Sequence, residues 1–91
     1  MTNSPIFLTV YATSSKVCRK VTSSYLILRN RGDDSGHGDI ELSLENGSES
    51  IDTFLLRVGE REHFGPSEYT RICYKRADGH DDKSRLDIHA F

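Results

Sequence analysis

The strongest constraint in this sequence is a period-two alternation of apolar and polar residues, recurring in short runs and never sustained at helical spacing. Side chains of an extended strand point alternately to opposite faces, so each run reads as a strand with one face toward a core. Ile6, Leu8 and Val10 alternate with Phe7, Thr9 and Tyr11 behind Pro5, a residue suited to a strand's first position. Ser14-Ser15 breaks that run, and Val17, Arg19 and Val21 then alternate with Cys18 and Lys20 as far as Thr22-Ser23. Residues 25–29 are apolar on both faces, as in a central strand. Further on, Ile40, Leu42 and Leu44 oppose Glu41, Ser43 and Glu45, a strand with one wet face. Strands are also expected over residues 51–58, 61–64 and 69–75. Leu86, Ile88 and Ala90 close the chain, with Asp87 and His89 outward.

Asn46-Gly47, Gly59-Glu60, Gly65-Pro66 and Asp78-Gly79 punctuate these runs as turns. Residues 30–38 and 77–83 are expected as loops. Seven or eight strands at roughly 8–12-residue spacing predict an all-β fold, a single compact β-sandwich or jelly-roll-like barrel of short antiparallel strands. Ninety-one residues provide for one core, so residues 1–91 form one domain. Tyr25, Tyr69, Tyr74, Phe54 and Phe64 are expected to be mostly core. Both chain ends are expected to be held, as strands in a sheet or against neighbours in an assembly.

Charge excludes several classes. Twelve basic residues against fourteen acidic ones give −2, with no basic stripe along the chain, so phosphate-driven binding of nucleic acid is not expected. No segment approaches the ~20 apolar residues of a membrane helix, and the chain starts without a basic region and long apolar run. Synthesis in the cytosol is expected, with export only by lysis or within a larger assembly. In a reducing compartment Cys18 and Cys73 read as two small apolar strand residues; a disulfide is the alternative, and a metal site a more distant one.

No catalytic constellation is evident. His37, His63, His80 and His89 lack metal-ligand spacing and read as solvated surface residues, and no serine sits in a nucleophile-elbow context. No enzyme activity and no cofactor are expected. Residues 33–39 and 78–82 cluster carboxylates with glycines, the kind of loop that calcium uses, but neither fits the twelve-residue helix-loop-helix spacing. Both are expected as solvated loops, a site shared between them being the alternative. Arg31-Gly32-Asp33 spells an adhesion tripeptide that recurs by chance. Arg71 and Lys75 share a strand face, read as the wet side of a sheet. A sugar-stacking platform finds little support in a chain without tryptophan.

The running text from residue 24 to 91 resembles small tailed-phage virion proteins, all-β modules of head decoration, cement or fibre base. The resemblance lies in Leu26-Ile27-Leu28-Arg29-Asn30-Arg31-Gly32, Ile40-Glu41-Leu42-Ser43-Leu44, Phe54-Leu55-Leu56-Arg57-Val58-Gly59-Glu60, Phe64-Gly65-Pro66, Ile72-Cys73-Tyr74-Lys75 and Leu86-Asp87-Ile88. It implies a non-enzymatic virion component that bridges neighbouring capsid proteins, with no catalytic residue to carry over. Its partners would be the major capsid protein or other virion proteins and further copies of itself, a trimer being favoured. The alternatives are a neck, tail or fibre-base module, or a free binding module for sugar or a host protein. Terminal strands and long loops are what a small sandwich has free to offer, so Ile6, Phe7, Leu8, Tyr11, Arg31, Asp33, Asp34 and His37 are the candidate contact residues.

Overall fold

A computed structural model describes residues 5–91. It contains eight strands: β1 (Ile6–Ala12), β2 (Val17–Ser23), β3 (Leu26–Gly32), β4 (Ile40–Asn46), β5 (Glu49–Leu56), β6 (Arg61–Phe64), β7 (Tyr69–Arg76) and β8 (Ser84–Ala90). The pairing is nested: β1 with β8, β2 with β7, β3 with β6 and β4 with β5, all antiparallel. The chain is thus one long hairpin with its tip at Gly47-Ser48, rolled until β3 also meets β8 and β4 meets β7. Two four-stranded sheets result, ordered β1-β8-β3-β6 and β2-β7-β4-β5. That topology is the jelly roll.

The alternation decides what lies between the sheets. Val10, Ala12, Leu26, Leu28, Leu86, Ile88 and Ala90 come from one sheet, and Ile40, Leu42, Leu44, Leu56, Ile72 and Tyr74 from the other; all are buried. Fully burying an aliphatic side chain of this size is worth roughly 1.5–3 kcal/mol. Phe54 and Phe64 close the β5/β6 side, their rings 4.6 Å apart. The carboxy-terminal end is tied down as expected: the Phe91 carbonyl accepts the Ser24 and Tyr25 amides, and its own amide donates to the Tyr25 carbonyl. Residues 1–4 lie outside the described residues, so the expectation for the other end has no counterpart here.

Three boundaries differ from the sequence reading. Tyr25 is half exposed rather than core, because it occupies the bend before β3 and its parity sets it outside. Asn30, Arg31 and Gly32 are strand, not loop. The fifth strand runs over Glu49–Leu56, two residues earlier than the apolar pattern placed it, since pairing with β4 starts directly after the turn.

Candidate interaction surface

At one end of the sandwich the two acidic loops do come together, and a cation of the chain itself joins them. Arg76 ends β7 on the same side as Ile72 and Tyr74, and its side chain is only 2% exposed. Its Nη1 donates to Asp33 Oδ2 at 2.9 Å and to the Asp82 carbonyl at 2.8 Å. Nε and Nη2 clamp the Asp78 carboxylate at 3.0 and 2.7 Å. Such two-pronged guanidinium–carboxylate pairs are strong and orientation-specific. The Arg76 hydrogen bond lowers the Asp78 pKa to about 2, helped by the His80 amide. The His37 amide, followed by Arg76, lowers that of Asp33.

Asn30 performs a similar function beside it. Its Nδ2 donates to the Gly38 and Leu56 carbonyls, both at 2.9 Å, and its Oδ1 accepts the Gly32 amide. Gly38 adopts φ +111°, and a Cβ there would stand 2.7 Å from Ser84 Oγ and 3.1 Å from Arg76 Cζ. Only glycine lets the loop close on the arginine. Among the described residues no group of three or more His, Cys, Asp or Glu is arranged to hold a metal ion. Asp33, expected as a contact residue, is buried here because it caps its own loop and pairs with Arg76. Asp34 and His37 do stand exposed on that loop.

The outer face of the β2-β7-β4-β5 sheet is cross-linked within the chain, with Leu55 left exposed on β5. Cys18 and Cys73 stand directly opposite on β2 and β7, with Cα atoms 4.0 Å apart, and form a disulfide of 2.08 Å. This corrects the expectation of two separate thiols. Their positions are 55 apart in sequence, and only the β2–β7 register brings them together. Arg71 on the same face binds Glu45 at 2.5 and 2.7 Å, which lowers the Glu45 pKa. Lys75 lies 3.8 Å from Glu41. The acidic neighbours of this basic pair are therefore on β4 of the same chain.

The outer face of the β1-β8-β3-β6 sheet is different. Register places Phe7, His89, Ile27 and His63 in one row across all four strands, and Thr9, Asp87, Arg29 and Arg61 in the next. The Phe7 ring meets His89 edge-on at 5.3 Å, and His89 lies tilted against Phe91 at 4.3 Å. His89 is thus half-buried between two aromatic rings rather than solvated. Phe7 is 66% exposed, Tyr11 50% and Ile6 44%. Asp87 accepts Thr9 Oγ1 at 2.7 Å and pairs with Arg31 at 3.1 Å. Leu8, of opposite parity, turns inward against the core. Of the candidate contact residues, Phe7, Tyr11 and Arg31 share this face; Ile6 lies at its edge, and Asp34 reaches it through Arg85 at 3.6 Å. The fold also gathers Arg29, Arg31, Arg61 and Arg85 here, a concentration that the dispersed sequence positions conceal.

No protein-family model matches the chain, and no curated protein matches it in sequence. Among solved structures it is similar to a chain of the Bacillus endospore appendages, a family of disulfide-linked pili. That match has a TM-score of 0.62 at 10% identity and covers 96% of this chain and 84% of that one. It is also similar to hydroxypropylphosphonic acid epoxidase from S. wedmorenis, with a TM-score of 0.59 at 15% identity, over 96% of this chain but 42% of the epoxidase. At such identities the likeness is one of fold: a jelly roll that serves in those proteins both as a pilus component and as part of an enzyme.

Proposed function

We propose that this chain is a non-enzymatic structural subunit of a multi-copy protein assembly, most specifically a protein that decorates or cements a viral capsid by bridging neighbouring shell proteins. The observation that carries this reading is the outer face of the β1-β8-β3-β6 sheet, where Phe7, Tyr11 and Phe91 stand exposed beside arginines on an otherwise well-packed fold. Aromatic residues and arginine are the side chains enriched where proteins dock. The space between the sheets is filled mainly by aliphatic side chains. The resemblance of residues 24–91 to phage virion modules and the fold shared with a pilus component both support an assembly role. A disulfide accords with a working life outside the reducing cytosol, as in a released virion.

Quantitative mass spectrometry of purified particles from the source, against the major shell protein, tests the proposal. Hundreds of copies in fixed ratio to the shell protein are expected. A dozen copies would place the chain in a neck, tail or fibre base, and absence from the particle would overturn the virion reading.

A further inference from the structure

A jelly roll has four edge strands, each with a row of unpaired backbone groups that invites pairing with another chain unless something blunts it. Three of the four edges are blunted. β2 carries Arg19 and Lys20 and a register irregularity between Lys20 and Ser23. β5 carries Glu49 and Asp52, with an irregularity opposite Leu44 and Glu45. β6 is four residues long, holds Arg61 and Glu62, and stops at Gly65-Pro66. β1 has none of these devices. Its seven residues, Ile-Phe-Leu-Thr-Val-Tyr-Ala, contain no charge, proline or glycine, and its pairing with β8 is regular throughout.

We infer that β1 is completed by β1 of a second copy of this chain, antiparallel about a two-fold axis at Thr9, so that two four-stranded sheets join into one continuous sheet. The inference rests on the assembly reading above and names one contact within it. The sequence of β1 is self-complementary in that register. Phe7 faces Tyr11 of the second copy, Thr9 faces its own counterpart, Leu8 faces Val10 and Ile6 faces Ala12. Aromatic meets aromatic, hydroxyl meets hydroxyl and aliphatic meets aliphatic, the cross-strand combinations that stabilise a sheet. About six to eight backbone hydrogen bonds form along an edge of ~24 Å. Phe7 and Tyr11, among the most exposed apolar side chains of the free chain, lose water contact together. Arg19 and Lys20 on β2 repel their counterparts, so the second sheet stays discontinuous. The contact is isologous, the commonest kind between identical chains.

Sedimentation velocity of the full chain across a concentration series tests this, with charge variants to read the register. The wild-type chain is expected to dimerise. Phe7→Lys with Tyr11→Lys places like charges opposite each other and is expected to leave only monomer, with an unchanged thermal melt of the monomer. Phe7→Lys with Tyr11→Glu places opposite charges across the same contacts and is expected to restore the dimer. A wild-type monomer at all concentrations, a trimer, or a Lys/Lys variant that dimerises as well as the Lys/Glu variant would overturn the inference. Particle copy number is unaffected by those outcomes, so the broader reading is tested separately.

Discussion

On the outer face of the β2-β7-β4-β5 sheet, the thiols and the Arg71 guanidinium have found partners within the chain, and Leu55 is the exposed apolar side chain opposite Glu41. Cys18 is bonded to Cys73, Arg71 to Glu45, and Lys75 lies near Glu41. On the outer face of the β1-β8-β3-β6 sheet, Asp87 engages Thr9 and Arg31, but the aromatic row stays open, and no strand among the described residues pairs with the β1 edge. Both faces are made by the same alternation over the same core. What separates them is which side chains occupy the outward positions. If, as proposed, the open face is the one used for contact, mutations should divide between stability and association according to the face they touch.

The largest effect is expected from replacing both Cys18 and Cys73 by serine. Cross-linking positions 55 residues apart stabilises chiefly by restricting the unfolded chain, and the double variant should lose about 4 kcal/mol in urea denaturation. A loss below ~1 kcal/mol would mean that the staple contributes little to this face.

Acid should come next. Asp78, Asp33 and Glu45 have folded-state pKa values below their ordinary ones, Asp78 at about 2 against 3.8. A depressed carboxylate stabilises the fold at pH above its unfolded value, and that contribution disappears as pH falls through the folded value. The urea midpoint should therefore be level from pH 7 to about 5 and fall between about pH 4 and 2, with a smaller fall in Asp78→Asn. An acid limb as steep in Asp78→Asn as in the wild type would remove Asp78 from this account.

Arg71→Ala, which leaves the buried Glu45 carboxylate without its cation, should cost about 1–3 kcal/mol and leave self-association unchanged. Phe7→Ser on the open face is the sharpest contrast. Monomer stability should change by no more than about 0.5 kcal/mol, while the ability to self-associate is lost. Loss of association with Arg71→Ala and its retention with Phe7→Ser would reverse the assignment of the two faces.

The sequence displayed the sandwich because alternation is a local property. Ile40, Leu42 and Leu44 face the core because their parity requires it, and the chain turns at Gly47, whose positive φ suits glycine. The same parity also marks two of the buried polar residues. Arg76 follows Ile72 and Tyr74 in steps of two, and Asn30 follows Leu26 and Leu28. A polar residue that continues an inward series is a signal for a buried network, and here it marks the end where the acidic loops meet. The disulfide and the arginine-bearing face were hidden for a different reason. Each depends on register between strands distant in the chain, and local patterning carries no information on which Cys stands opposite which residue. The outward parity of Phe7 and Tyr11 was legible from the alternation of the first strand, whereas the burial of Asp33 was not, because a loop carboxylate looks the same whether it faces water or an arginine.

The most direct test of the central claim is hydrogen–deuterium exchange along the four edge strands at low and high protein concentration. The β1 amides that do not pair with β8 should exchange freely in dilute solution and become protected as concentration rises, while the edge-facing amides of β2, β5 and β6 remain unchanged. Protection gained at β5 or β2 instead, or a β1 that exchanges equally at every concentration, would contradict the assignment of this face as the one through which the chain assembles with itself.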